Sequence, residues 1–167
     1  FMPTIRKILA RLPKQRQTVL LSATMPKQIR ALANDFLDAP SEVSVAATSR
    51  PIERIEQSVM HVERAEKRDA LVGILRSEKV ERAIVFTRTK RGADKVCEFL
   101  QKAGINSGAI HGNKSQPQRE RTLAAFRDKK TRILVATDIA ARGIDIDDVS
   151  HVINYELPNV PEAYVHR

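Results

Sequence analysis

The chain has one cysteine, no tryptophan, two Tyr and five Phe among 167 residues. With Cys97 alone, an internal disulfide framework is excluded, and the usage fits a reducing, cytoplasmic setting. Cys97 falls at an apolar position of a helical pattern and reads as core. Aromatic residues make up 4% of the chain, too few for a platform on which bases stack, so phosphate contact is the expected mode for any nucleic acid. No apolar run approaches the ~18–20 residues that a membrane span needs. The opening residues, Phe1-Met2-Pro3 before a basic amphipathic stretch, do not make a signal peptide. His61, His111, His151 and His166 lack metal-ligand spacing, and with one Cys no zinc site is expected. A Gly-x-Ser-x-Gly elbow, a Gly-rich dinucleotide fingerprint and the Gly-x4-Gly-Lys-Ser/Thr phosphate loop are all absent. Arg91-Gly92-Ala93-Asp94-Lys95 does not replace the last of these.

What is present is positive charge and a core. Twenty-nine Lys and Arg against 20 Asp and Glu leave a net charge of +9, which favours a polyanionic partner, with plain solubility as the competing explanation. The 42% hydrophobic content suffices for a packed interior. A start with Phe before Met leads us to expect a piece of a longer protein.

Periodicity predicts a helix over 5–12, a short buried strand at 18–21, and a helix from Pro26 to Pro40. A further short strand is expected at Val43 and Val45. Residues 46–53 have no periodicity and read as a linker. Beyond it strands and helices alternate: strand 58–62, helix 67–76, strand 83–86, helix 92–103, strand 107–110, helix 116–126, strand 132–136, strand 151–155, and a helix from Pro161. Repeated βα units of this length predict an α/β fold with a mainly parallel sheet covered by helices on both faces.

The polar residues fall at the ends of these strands. Ile84-Val85-Phe86 runs into Thr87, Arg88, Thr89 and Lys90; Ala109-Ile110 into His111, Gly112, Asn113, Lys114 and Ser115; Val135-Ala136 into Thr137 and Asp138. The last continues through an Ala-rich turn to Arg142, Gly143 and Asp145. Parallel strands share a direction, so the three clusters should converge on one sheet edge, where open α/β sheets bind ligands. Hydroxyls, an Arg and helix N-termini on one rim suit phosphate. One such cluster would be an ordinary cap or solvated turn. Three in register ask for a function.

The order of motifs resembles that of the DEAD-box RNA helicases, in particular their bacterial RhlE-like branch. Ser22-Ala23-Thr24 is similar to the family's third motif and Ile84 to Lys90 to its fourth. Gln116-x-x-Arg119 resembles the segment that follows, and Thr137 to Asp145 the fifth. His151 to Pro158 looks like the strand beyond, and Tyr164-Val165-His166-Arg167 like the opening of the sixth. The resemblance implies two RecA-like lobes: residues 1–45 the end of the first, 46–53 the linker, and 54–167 most of the second. It implies that Ser22 and Thr24 sense nucleotide state and that His166 bridges back toward them. Thr87, Arg88, Gln116, Arg119 and Thr137 are implied along the RNA backbone, by contact or support, with Gly112 letting that backbone approach. Asp145 is implied at the ATP ribose, with Arg142 and Gly143 beside it and Arg142 coupling the lobes. Phe86, ending a buried strand, is expected in the core rather than under a base.

The implied ligands are RNA and ATP with Mg, the Mg ligands lying outside these residues. No membrane partner is expected, and ribonucleoprotein or ribosome-assembly partners are left open. The phosphate loop, acidic Mg motif and later arginines of the sixth motif are missing from these residues, and an arginine finger alone is worth ~10³–10⁵ in rate. The fragment by itself is therefore expected to be inactive. Two other readings stand beside this one: a non-enzymatic RNA-binding scaffold on a RecA-like half, and a DNA helicase of the same superfamily. Only the 2′-hydroxyl separates RNA from DNA at a backbone site.

Overall fold

In a computed structural model, the described residues are 2–22, 25–44, 55–77, 79–141, 143, 144 and 146–167. The chain divides into two compact units, Phe1–Ser49 and Arg50–Arg167.

The first unit holds helices α1 (Met2–Leu9) and α2 (Lys27–Phe36). Arg6 of α1 pairs with Asp35 of α2 at 2.7 Å and lies over the Phe36 ring at 5.5 Å. None of its described residues is buried. The strand expected at 18–21 does not form, and Val19 and Leu21 stand 68% and 90% exposed. A strand exists by pairing its backbone with a neighbour, and the described residues of this unit contain no other strand. The same holds for Val43, which is exposed outside any strand, while Val45 and the linker at 46–53 lie outside the described residues.

The second unit is built on four parallel strands: β1 (Ala83–Thr87), β2 (Ser107–Ile110), β3 (Ile133–Thr137) and β4 (His151–Asn154). Their order across the sheet is β2-β3-β1-β4. Helices α3 (Lys67–Arg76), α4 (Lys90–Lys102) and α5 (Gln116–Arg127), with the short α6 (Asp138–Ala141) and α7 (Pro161–Val165), complete the unit. This is the mainly parallel α/β fold that the sequence pattern predicts, in the RecA-like form that the resemblance implies. Residues 58–62, expected as a strand, remain unpaired, with Val59 82% exposed.

Alternate side chains of a strand point to opposite faces, and both faces here are covered. Ala83 and Val85 of β1 with Ile133 and Val135 of β3 pack under Leu71 and Leu75 of α3 and Val96, Cys97 and Leu100 of α4. Phe86, Leu134, Ala136 and Ile110 pack on the other face against Phe126 of α5 and Ala140 of α6. Strands buried on both sides need continuous apolar runs, which is what Ala83-Ile84-Val85-Phe86 and Ile133-Leu134-Val135-Ala136 are.

Gly108 shows why small residues recur in β2: a Cβ there would stand 2.8 Å from Thr122 Cγ2 of α5. At the opposite end of the sheet Arg82 is buried and spends its guanidinium on the carbonyls of Phe126, Asp147 and Asp148. It fixes that end of the fold and leaves the carboxyl ends of the strands for other work.

Candidate functional site

Register brings the strand ends together. Thr87 is level with Thr137, Ile110 with Ala136, and Phe86 with Asn154. The residues that follow therefore emerge along one edge. After β1 the chain turns into α4 on one face, and after the adjacent β3 into α6 on the other. Neighbouring strands that send their helices to opposite faces open a crevice between their ends, the usual ligand position in such sheets.

Each turn is shaped by its own polar residues. Thr87 is fully buried, and its hydroxyl donates to the Thr89 carbonyl at 3.2 Å. It thus shapes the turn from inside. Thr89 caps α4, its Oγ1 accepting from the Gly92 N–H at 2.9 Å. Gly92 must be small, because a Cβ would press on that same Oγ1 at 2.8 Å. Arg88 is exposed; its backbone N–H donates to Glu156 Oε2 at 2.7 Å and its guanidinium to Asn159 Oδ1 at 3.3 Å.

The loop after β2 is tied to α4. His111 is buried, with Nε2 2.9 Å from Asp94 Oδ1, while Nδ1 accepts the Asn113 N–H at 3.3 Å. Lys114 reaches the same Asp94 oxygen at 3.0 Å. Burial works to raise the Asp94 pKa, but the His111 and Lys114 hydrogen bonds and charges outweigh it and hold the carboxyl below its ordinary value. Lys90 Nζ donates to Asn113 Oδ1 at 2.8 Å and lies over Gly112, where a Cβ would meet Lys90 Cε at 3.2 Å.

Ser115 and Gln118 then close a reciprocal cap on α5, with the Ser115 N–H donating to Gln118 Oε1 at 2.9 Å. Gln116 is held by Glu120 at 2.8 Å. Arg119 is half-buried, and its Nε makes no hydrogen bond among the described residues.

The turn after β3 is locked by a residue far along the chain. Arg167 Nε and Nη2 meet Asp138 Oδ1 and Oδ2 at 2.5 and 3.0 Å. Its Nη1 donates at 2.7 Å both to Asn154 Oδ1 and to the Glu156 carbonyl. The guanidinium carbon lies 4.8 Å from the Phe86 ring centroid. Thr137 is buried at the strand end, and Phe86 is core, as expected. Gly143 has φ +74°, a conformation open to glycine without strain.

The expected residues thus divide into groups. Thr87, Arg88, Gly112, Gln116, Arg119 and Thr137 belong to the strand-end turns and the first turn of α5. His166 lines a cleft of about 90 Å³ with Asp138 and Arg167, in the same unit as Gly143. Ser22 lies outside any helix or strand, ahead of α2 in the first unit. Thr24, Arg142 and Asp145 lie outside the described residues. Among the described residues no group of three or more metal-ligating side chains gathers, and no helix is long and apolar enough to cross a membrane.

Sequence reasoning did not assign Asp94, Glu156, Asn154 or Arg167. Asp94 left a trace, a carboxylate between the inward-facing Ala93 and Cys97 of an amphipathic helix. The Arg167 partners left none, being 11 to 29 residues away.

Residues 66–167 match the helicase conserved C-terminal domain. The chain is 47% identical over its whole length to RNA helicase CrhR of Synechocystis, covering 34% of that protein. It is 45% identical, again over its whole length, to the ATP-dependent RNA helicase DeaD of Mycobacterium tuberculosis, covering 29%. Thus it spans about a third of the curated relatives it matches. Among solved structures, S. cerevisiae Dbp5 bound to RNA and ADP BeF3 superposes with a TM-score of 0.87 at 29% identity, over 99% of this chain and 44% of that one. A DEAD box protein from Methanococcus jannaschii gives 0.64 at 40% identity, with the same coverages. The chain belongs to the helicase conserved C-terminal domain family, in the form carried by DEAD-box RNA helicases.

Proposed function

We propose that this chain is the RNA-gripping second lobe, with the end of the first lobe, of an ATP-dependent RNA helicase. Residues 1–45 would complete the first RecA-like lobe, 46–53 the linker, and 54–167 the second lobe. The observation that carries this reading is the strand register, which sets three polar turns and the capped start of α5 on one edge. Phosphates bind where backbone N–H groups, hydroxyls and cations converge. Arg88, Gly112, Gln116 and Arg119 would meet the backbone, with Thr87 and Thr137 supporting them from within. The RNA in the Dbp5 complex supports the assignment by likeness. The exposed apolar side chains of the first unit also suit a segment that packs into a larger lobe.

ATP would lie between the lobes, with Asp145 at its ribose and Arg142 and Gly143 beside it. Ser22, Thr24 and His166 would couple nucleotide state to strand separation. The phosphate loop, Mg ligands and arginine fingers would come from outside these residues, so the chain alone would not hydrolyse ATP. We infer the RhlE-like branch from the motif resemblance alone and a cytoplasmic setting from the single cysteine, with ribonucleoprotein or ribosome-assembly partners left open.

The test is a paired assay. The intact protein should hydrolyse ATP faster with single-stranded RNA and separate a short RNA duplex only with ATP, while residues 1–167 show neither. RNA binding with neither ATP hydrolysis nor unwinding would favour the non-enzymatic scaffold, and equal activity on DNA the DNA helicase.

A further inference from the structure

Resting on the backbone-binding reading, we propose that Asp94 and His111 are positioning residues that set the loop after β2 in the shape that meets RNA. Four side-chain contacts hold that loop, and two of them converge on one oxygen. Asp94 Oδ1 lies 2.9 Å from His111 Nε2 and 3.0 Å from Lys114 Nζ. Asn113 then uses both of its ends: its N–H donates to His111 Nδ1 at 3.3 Å, and its Oδ1 accepts from Lys90 at 2.8 Å.

A backbone N–H only donates, so His111 Nδ1 must be the acceptor nitrogen. The neutral ring then carries its proton on Nε2 and donates it to Asp94. Asp94 on α4 thereby selects the tautomer, and the tautomer orients the Asn113 amide. Without Asp94 only the long 3.3 Å contact from the Asn113 N–H favours the proton on Nε2. The Nδ1–H form would set two N–H groups against each other and move Gly112 and Asn113.

The placement matters because of what surrounds it. Gly112 lies under the Lys90 ammonium, and Ser115 opens the N-terminus of α5 three residues later. A shift of the loop therefore moves a cation and the approach to a helix N-terminus together. The charged groups around the ring are Asp94 of α4 and Lys114 of the loop, with Lys90 of α4 reached through Asn113. His111 is 1% exposed, so it acts on RNA through the loop and not by touching it.

Ring-nitrogen NMR on residues 1–167 should show His111 Nδ1 unprotonated and Nε2 protonated near neutral pH. In the intact protein, single-stranded oligo(U) binding is measured for wild type, Asp94→Ala and Asp94→Asn, with ATP affinity and thermal unfolding alongside. Asp94→Ala should weaken RNA binding roughly three- to tenfold, the scale of one ordinary hydrogen bond, with ATP affinity unchanged. Asp94→Asn keeps an acceptor oxygen for Nε2–H and should restore most of the loss. Four results would overturn the positioning role: the Nδ1–H tautomer, unchanged RNA affinity in Asp94→Ala, no rescue by Asp94→Asn, or RNA and ATP affinity falling together with stability. Wild-type protein that binds no oligo(U) would overturn the function reading beneath it, whatever the tautomer.

Discussion

Arg167 and Asp138 meet in a two-point pair, 29 residues apart in sequence, with the arginine side chain 2% exposed. The same guanidinium reaches Asn154, the Glu156 carbonyl and the Phe86 face. One side chain thus joins the turn after β3 to the ends of β4 and β1, and it fixes the residue next to His166. Asp138 is half-buried, but its loss leaves the buried Arg167 guanidinium without a carboxylate, so Asp138→Ala should cost ~2 kcal/mol in urea unfolding. Adding Arg167→Met should recover part of that loss, since replacing both partners by apolar groups can approach neutrality. Additive losses in the double variant would contradict the coupling.

Asp94 predicts an acid-side signature. Desolvation raises its pKa, but the His111 and Lys114 hydrogen bonds win and lower it below the ordinary value of 3.8. A depressed folded pKa means stability that is present above the unfolded value and lost as pH falls through the folded one. Stability against pH should therefore be less steep on the acid side in Asp94→Asn than in wild type. Parallel curves from pH 6 to 2, checked by chemical denaturation, would remove Asp94 from the account.

The parallel sheet was legible because its strands are buried on both faces and so are continuously apolar. Ala83–Phe86 and Ile133–Ala136 admit little else once helical patterns flank them. The segments at 18–21 and 58–62 carry the same β signal but find no ladder among the described residues, and pairing is a tertiary property that local pattern does not contain. The site divides in the same way. Hydroxyls and cations at a strand end, such as Thr87 and Arg88, announce themselves. Arg167 and Asp94 do not, since their meaning lies in partners brought near by folding. Thr87 shows the limit from the other side: its position is as expected, but its hydroxyl is spent inside the turn on Thr89.

Cys97 offers a check on the core. Burial raises its thiol pKa above the ordinary value, against a smaller opposing effect from its Ser107 hydrogen bond. Thiolate is the reactive species, so an aromatic disulfide reagent should label Cys97 slowly in the native chain and fast in urea. Rapid labelling of the folded protein would mean that α4 does not pack on the sheet as described.

Ser22 and Thr24 test coupling between the lobes. In the intact protein, Ser22→Ala with Thr24→Ala should leave ATP hydrolysis partly intact while duplex separation falls much further. Such a split requires two linked sites and two global states. If the hydroxyls only cap the helix after Pro26, stability should drop by ~1–2 kcal/mol and both activities should fall together.

The central claim is that the strand-end rim grips RNA by its backbone. The direct measurement is the salt dependence of single-stranded RNA binding by intact wild type and Arg88→Ala, across several RNA sequences. The account predicts weaker binding by a similar factor for every sequence, with a log–log salt slope lower by ~0.7 for the lost phosphate contact. An unchanged slope, or a changed preference among sequences, would contradict it.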